Sequence, residues 1–372
     1  MGCVSIIKHT SSNLKESLNK AIELIGGIKG IINKDEKVLL KPNINGLSLT
    51  TNIDLVESLI QLLFDNNVKS VSIGESSFGN YQHTDTFFND SGYVDLSKRY
   101  NIPLINFNRS KPIRVQVYRP LILNSLEIAE EYFHFDKMIN IPVMKVHYAT
   151  GISLSLKNLK GLLSPRFKKY FHEIGLDKAI ADLNNSIRPS LNIVDGLTCM
   201  EKIGPHDGEL IDLNLIIAGQ NSWEVDYIGS KVMNYSINEI GHLNEYLMSN
   251  NIQTQHLDNI KTLGEKVEDI RYNFAKVNLD NIIPKEFKII KKNVCSACEN
   301  AFLLSCKFLK DMDMPEANIY IGKMDSKKRD MQKLNIAFGN CSKADRKMIQ
   351  IKGCPPYPFE LADNIKEYLN KK

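Results

Sequence analysis

Short apolar segments of strand length alternate with amphipathic helical segments along the N-terminal part of the chain, and this alternation limits the possible folds more than any other feature. The strand-length segments are Val4–Lys8, Lys37–Leu40, Val68–Ile73, Ile102–Phe107, Lys137–Pro142, Leu191–Val194 and Leu213–Ala218. The helical segments are Asn13–Ile25, Asp54–Phe64, Leu154–Leu162 and Asp177–Ile187. Strand–helix–strand units at this spacing favour a parallel sheet. The helix carries the chain back to the end at which the first strand began, so that the next strand runs in the same direction. We therefore predict an α/β fold with a largely parallel sheet and flanking helices.

Four polar motifs directly follow predicted strands. They are Lys41-Pro42-Asn43, Gly74-Glu75-Ser76, Lys145-Val146-His147 and Asp195-Gly196. In open α/β sheets, ligands bind beyond the carboxyl ends of the strands. These motifs are therefore the first candidates for a binding site.

The chain has seven cysteines, and five of them lie after Pro284. Four of these five stand in settings typical of cluster ligands: Cys295-Ser296-Ala297-Cys298, Gly339-Asn340-Cys341 and Gly353-Cys354-Pro355. Glycine allows close backbone approach to an inorganic core, and proline after a ligand cysteine occurs in bacterial ferredoxins. We predict that Cys295, Cys298, Cys341 and Cys354 bind one 4Fe-4S cluster in a small C-terminal domain.

Two other interpretations of the cysteines stay open. A structural zinc site also takes four thiolates, although zinc ribbons usually carry two C-x2-C knuckles and this chain has one. Buried free thiols behave as small apolar side chains, and this interpretation suits Cys199 and Cys306. We therefore expect Cys199 and Cys306 to lie in the core.

The stretch from Lys145 to His172 has six lysine or arginine residues, two histidines and no acidic residue. In a chain with 47 basic and 43 acidic side chains, such a local excess indicates an anion-binding surface. Lys157 and Lys160 are three positions apart on a predicted helix and so share a face. We predict that Lys145, Lys157 and Lys160 bind an anion, and that Lys168 and Lys169 are solvated surface residues.

The remaining candidates are polar residues near these lysines. His147 and His172 are predicted, with Lys145, to act in catalysis, because histidine titrates near neutral pH. A lone histidine is also often a structural residue. Further predicted substrate-binding residues are Lys41, Asn43, Asn158, Asp195 and Asp226. For Asp195 and Asp226 the alternative is a helix-capping role.

Several functional classes are not supported by the sequence. The net charge of +4 is small, and no recognisable DNA- or RNA-binding motif is present. No apolar run is long enough to span a membrane, and the N-terminus lacks the pattern of a signal peptide. No G-x-G-x-x-G or Walker sequence occurs. We expect a cytoplasmic protein that binds neither nucleic acid nor membranes.

Taken together, these motifs resemble a bacterial and archaeal family known as "domain of unknown function 362". The similarity covers roughly residues 4–235 and rests on motifs whose order and approximate spacing agree with the family. They are Val38-Leu39-Leu40-Lys41-Pro42-Asn43, Lys145-Val146-His147, Ser155-Leu156-Lys157-Asn158-Leu159-Lys160-Gly161, His172, Asn192-Ile193-Val194-Asp195-Gly196, Gly204-Pro205 with Gly208, and Val225-Asp226. The resemblance implies an association with iron–sulfur clusters, commonly through a fused ferredoxin. This chain departs from that pattern, because it has one C-x2-C and two separated cysteines.

The sequence therefore predicts three parts: an α/β core over residues 1–235, a helical connecting segment over 236–283, and an iron–sulfur domain over 284–372. The expected function is that of an oxygen-sensitive iron–sulfur oxidoreductase or lyase of anaerobic metabolism acting on a small anionic molecule. A redox partner protein would then exchange electrons with it. The alternatives are a non-catalytic iron–sulfur electron carrier or cluster-delivery protein, and a zinc-stabilised binding protein.

Overall fold

The structure is a computed structural model that describes residues 2–10, 13–46, 48–205, 208–309, 312–324, 333–344 and 347–370. Its contacts divide the chain into two compact units. Unit 1 comprises Met1–Lys168 and Leu176–Lys276, and unit 2 comprises Lys169–Gly175 and Val277–Lys372. Residues 236–276 fall in unit 1 by this division, and Lys169–Gly175, a short piece of the family-like region, falls in unit 2.

Unit 1 is built on a ten-stranded sheet and a separate two-stranded ribbon. Its strands are β1 (Cys3–Lys8), β2 (Val38–Lys41), β3 (Val71–Glu75), β4 (Leu104–Asn106), β5 (Pro112–Gln116), β6 (Ser125–Ala129), β7 (Lys137–Asn140), β8 (Val143–His147), β9 (Gly151–Ser153), β10 (Leu191–Glu201), β11 (Glu209–Gly219) and β12 (Lys261–Gly264). The main path of the large sheet runs β12-β1-β11-β10-β7-β2-β3-β4, and β5 and β6 form the ribbon.

The large sheet is parallel in its centre and mixed at one side. Strands β10, β7, β2, β3 and β4 pair with one another in parallel, in that order along the path. Strand β11 is antiparallel to both β1 and β10, and β12 adds parallel to β1. Strand β8 runs parallel to β10, and β9 turns back along it. The mixed α/β fold with a largely parallel centre is thus confirmed.

The helices described next lie wholly or partly in unit 1. They are α1 (Leu14–Glu23), α2 (Gly27–Ile31), α3 (Ile53–Asp65), α4 (Tyr81–Asp90), α5 (Tyr93–Tyr100), α6 (Ser155–Asn158), α7 (Pro165–Ile174), α8 (Leu176–Ser186), α9 (Ser222–Val232), α10 (Gly241–Ser249), α11 (Thr254–Leu257) and α12 (Val267–Ile270). Asn13 and Asn52 begin α1 and α3 by accepting hydrogen bonds from backbone amides of the first turn. The buried strand runs and the periodic leucines of α3 form one continuous core.

Unit 2 has its own parallel sheet and core. Its strands are β13 (Phe287–Lys292), β14 (Ala317–Gly322), β15 (Leu334–Phe338) and β16 (Ile349–Ile351), hydrogen-bonded in that order. Helices α13 (Ser296–Lys307) and α14 (Glu360–Asn370) pack with them, and Cys306 lies inside the core as predicted. Cys199 is likewise fully buried in unit 1.

Among the described residues, none of the helices is both long and apolar enough to cross a membrane.

Candidate functional site

Polar side chains of unit 1 gather where parallel strands end. Lys41 is the last residue of β2, Glu75 the last of β3, and His147 the last of β8. Lys145 and His147 are two positions apart on β8 and therefore project from the same face. These residues therefore stand at the carboxyl ends of their strands, which is where the sequence predicts a binding site.

Lys41 forms a buried ion pair with Glu75, with 2.7 Å between Lys41 Nζ and Glu75 Oε2. Burial lowers the pKa of Lys41 and raises the pKa of Glu75, while the pairing opposes both shifts. Gly161 packs directly on the pair, since a Cβ at this position would lie 1.7 Å from Glu75 Oε1. The glycine is therefore required by this internal contact, and Lys41 is engaged by a carboxylate of the chain itself.

Lys168 is buried, and the prediction that it is a solvated surface residue is wrong. Its ammonium donates to Asn108 Oδ1 at 2.8 Å, to Ser77 O at 3.0 Å, to Ser76 O at 3.2 Å and to Ser76 Oγ. Burial lowers the pKa of Lys168 to about 7, although Glu75 opposes this shift. Lys168 joins the loop after β3 to α7, whereas Lys169, the next residue, is exposed.

A chain of amide side chains supports Lys145. Its ammonium donates to Asn43 Oδ1 at 2.7 Å, and Asn43 Nδ2 donates to Asn158 Oδ1 at 2.9 Å. Asn158 Nδ2 then donates to Asn140 Oδ1 at 2.8 Å, and Asn140 Nδ2 to Asn192 Oδ1 at 2.9 Å. Burial lowers the pKa of Lys145 to about 8, with Glu75 opposing. Because each amide has a fixed donor and acceptor here, the network holds the Lys145 ammonium in one place.

Lys157 and Lys160 lie on α6 and the turn that follows it. Burial lowers the pKa of Lys160 to about 7. For Lys157, burial and then repulsion from Lys160 and Lys145 lower the pKa well below its usual value. We call Lys41, Lys145, Lys157, Lys160 and Lys168 the lysine cluster. Glu75 acts electrostatically on Lys41, Lys145 and Lys168.

Asp195 and Asp226 are buried and accept hydrogen bonds from backbone amides. Asp195 Oδ2 accepts from the Asn52 amide at 2.7 Å and Oδ1 from the Leu197 amide at 3.1 Å. Asp226 accepts from the amides of Ser155 and Leu156 at 2.7 and 3.0 Å. Burial raises the pKa of Asp195 to about 6 and that of Asp226 to about 7. Asp226 caps the first turn of α6 and thereby orients the helix that carries Lys157, whereas Asp195 binds the residue that begins α3 and an amide of its own strand. Substrate binding by either residue stays a prediction.

The two predicted histidines fall in different units. His147 is buried, stacks on Tyr148 with ring centroids 4.9 Å apart, and its Nδ1 accepts from the Ala149 amide at 3.2 Å. His172 belongs to unit 2, where Nδ1 lies 2.7 Å from the Ser296 hydroxyl. The structure thus places His172 beside the first cysteine pair.

Sequence reasoning did not find three residues that the structure brings into or next to the lysine cluster: Glu75, Asn108 and His242. Glu75 belongs to the Gly74-Glu75-Ser76 motif that follows a predicted strand, and this position could have identified it as a candidate site residue. Nothing in the sequence near Asn108 or His242 indicates a contact with lysines far away along the chain. His242 is fully buried on α10, and its pKa is lowered to about 3 by burial and by Lys157.

In unit 2 the four predicted ligand cysteines follow the ends of parallel strands. Cys295 and Cys298 come after β13, Cys341 after β15 and Cys354 after β16. The last two loops are joined, because the Asn340 amide donates to Gly353 O at 2.9 Å and the Gly353 amide to Asn340 Oδ1 at 2.8 Å. Gly339 approaches the first pair so closely that a Cβ there would lie 3.4 Å from Cys298 Sγ.

The thiols of these residues interact electrostatically, and we call them the cysteine site. A hydrogen bond with Cys298, followed by amides of the first turn of α13, lowers the pKa of Cys295 to about 6. The pKa of Cys298 is raised by Cys295, by burial, and by the nearby Cys354 and Cys341. Lys169 donates a hydrogen bond to Cys354, which raises the pKa of Lys169. The site therefore combines four free thiols with one cation.

Among the residues that the structure describes, no group of three or more His, Cys, Asp or Glu side chains has the arrangement that holds a metal ion. The four thiols stand on adjoining loops and influence one another electrostatically. In this part of the chain they are not arranged at metal-coordination distances.

Comparison with known proteins gives three similarities. The family model described as "Domain of unknown function (DUF362)" matches residues 38–231. A thylakoid-associated protein of Synechocystis sp. is 25% identical over 244 residues, which are 62% of this chain and 74% of that protein. The lactate racemase apoprotein of Thermoanaerobacterium thermosaccharolyticum is 12% identical, with a TM-score of 0.40 over 86% of this chain and 69% of its own. Because the family model covers the sheet edge and the lysine cluster, the chain belongs to the DUF362 family.

Proposed function

We propose that this protein is an iron–sulfur enzyme that acts on a small anionic substrate. The observation that carries the proposal is the placement of four free cysteines on three adjoining loops at one edge of the unit 2 sheet. Parallel sheets bind ligands at this edge, and thiolates are the ligands that iron–sulfur clusters use.

The donor set of the cysteine site fits a 4Fe-4S cluster. Cys295 and Cys298 are one helical turn apart at the start of α13, and the amides of the first turn favour the thiolate form of Cys295. Gly339 leaves room beside Cys298, where a side chain would contact Sγ. Cys341 and Cys354 are exposed and can move toward a cluster without leaving the core. When bound, such a cluster would supply electron transfer, or Lewis-acid chemistry at an iron that lacks a protein ligand.

The lysine cluster supports an anionic substrate. Lys157 and Lys160 are desolvated, and burial lowers the pKa of both. A carboxylate or phosphate would replace the lost hydration of these ammonium groups by charge-assisted hydrogen bonds. Lys145, held by Asn43, would add a third contact from a fixed position. His147, on the same face of β8 as Lys145, would donate or accept a proton at the bound molecule.

The cluster is tested by iron and sulfide analysis of protein purified without oxygen. We expect iron and sulfide together in the wild type, and loss of most of both in Cys295→Ala, Cys298→Ala, Cys341→Ala and Cys354→Ala. Cys306→Ala is the matched control, because that thiol lies in the core of the same unit. Zinc without sulfide would identify a structural zinc protein, and equal iron in all five variants would refute the ligand assignment.

A further inference from the structure

A cavity of about 380 Å³ lies in unit 1 at the edge of the large sheet where β7 and β10 begin. Lys137 is the first residue of β7, and Arg188 lies in the segment between α8 and β10. These two segments are adjacent, because the Ser190 amide donates to Met138 O at 2.9 Å. Strands β2 and β8, which carry members of the lysine cluster, run parallel to β7 and β10 and bring those members to the opposite, carboxyl edge. The cavity is therefore separate from the lysine cluster.

The lining of the cavity is basic. Lys137 and Arg188 are its charged residues, and no carboxylate is among the lining residues that the structure describes. Lys137 Nζ lies 3.7 Å from Glu36 Oε1, which is too far for a hydrogen bond. Arg188 is exposed, and within the described part of the chain its guanidinium has no hydrogen bond or ion pair. A bound anion would therefore accept hydrogen bonds from both cations without breaking one inside the chain.

Two aromatic side chains line the same cavity. Trp223, the single tryptophan of the chain, is half-buried in the first turn of α9, and Tyr246 is buried on α10. Aromatic side chains bind flat ring systems by stacking. Gln220 and Asn221 also line the cavity, and their amides both donate and accept hydrogen bonds, as the edge of a heterocyclic ring requires. The lining thus provides contacts for a charged group and for a ring.

We infer that this cavity binds a small molecule with a phosphate group and a flat heterocyclic ring, of the size of a nucleoside monophosphate. Its volume of about 380 Å³ falls in the range of small-molecule sites, about 300–1,000 Å³. The phosphate would bind Arg188 and Lys137, since two cations suit the nearly double negative charge of a phosphate monoester. The ring would lie against Trp223. This inference is independent of the anion site proposed for the lysine cluster.

The test uses the fluorescence of Trp223, the single tryptophan of the chain. The full chain, purified without oxygen, is titrated with adenosine monophosphate. We expect saturable quenching with an affinity at least ~10-fold higher than for adenosine, ribose 5-phosphate or inorganic phosphate, because each of these lacks one of the two contacts. Inorganic phosphate that binds as tightly as adenosine monophosphate would overturn the ring contact and the ligand class with it. No saturable change in either fluorescence or calorimetry would overturn the site itself.

Variants assign the signal to this cavity. Arg188→Gln and Lys137→Gln should each weaken binding of adenosine monophosphate about ten- to a hundredfold, whereas Lys98→Gln, at an exposed position of α5, should not. Trp223→Leu, measured by calorimetry, should remove the preference for adenosine monophosphate over ribose 5-phosphate. Lys160→Ala should leave the affinity unchanged. A loss in Lys160→Ala, or displacement of the nucleotide by oxalate, would place it in the lysine cluster and overturn the separate site.

Discussion

The lysine cluster of unit 1 and the cysteine site of unit 2 both lie at the carboxyl edge of parallel strands, but they are completed in different ways. Lys41, Lys145 and Lys168 are held by partners within the chain, namely Glu75, Asn43 and Asn108. In the cysteine site two of the four thiols are exposed. The first site is largely assembled by folding, whereas the second, on the function proposed above, would need the cluster to bring its thiols together.

Removal of iron should give the largest difference between the units. Metal–ligand binding contributes directly to the folding free energy of small domains, so loss of a cluster should loosen unit 2. Treatment with a chelator in air should expose protease sites within Val277–Lys372 and leave the core of unit 1 resistant. Cys298→Ala should reproduce this pattern without chelator. The same digest for holo and apo protein would contradict the dependence.

Lys168→Ala should be the most destabilising of the lysine substitutions. It leaves acceptors on Asn108, Ser76 and Ser77 without their buried donor, and unpaired buried groups cost about 1–3 kcal/mol. Urea unfolding should show this loss for Lys168→Ala, whereas Lys169→Ala, at an exposed position, should change the unfolding free energy little. Equal effects of the two substitutions would mean that Lys168 is not the internal connection described above.

Lys160→Ala should weaken anion binding without unfolding the protein. A charge-assisted contact, once lost, typically costs ~1.5–3 kcal/mol, about ten- to a hundredfold in affinity. Calorimetry with oxalate measures the effect, and Lys20→Ala is the surface control. Unchanged oxalate affinity in Lys160→Ala would remove this lysine from the site.

The pH dependence of oxalate binding should give the smallest effect. The pKa of Lys160 is lowered to about 7 and that of Lys145 to about 8, so both ammonium groups lose their protons as the pH rises from 7 to 9. The affinity for oxalate should therefore fall over this range.

The stability of the fold should change in the opposite direction. The unfolded chain holds its lysine protons up to about pH 10.5, so the free-energy cost of burying these charges is present below pH 7 and is relieved as the pH rises. Lys160→Met should weaken the pH dependence of both the oxalate affinity and the free energy of unfolding. An oxalate affinity that rises with pH would be inconsistent with binding of the anion by these lysines.

Lys168 and Lys169 show where sequence reasoning failed. Both follow the same basic run and look alike in the sequence, yet one is 3% exposed and the other is a surface residue. The difference depends on where α7 meets the loop after β3, ninety-odd positions away along the chain. No local pattern reports such a contact. Asp195 and Asp226 were open between capping and substrate binding for the same reason.

The sequence by itself determined the elements, the parallel centre of the sheet and the family, because hydrophobic periodicity and motif order are local properties. It also placed Lys41, Lys145 and His147 at strand ends. Only the tertiary structure decided which lysines are satisfied internally, and that His172 belongs with the cysteines. Those outcomes depend on burial and on partners far apart in sequence, and desolvation, which sets the pKa of each buried group, exists only once the chain has folded.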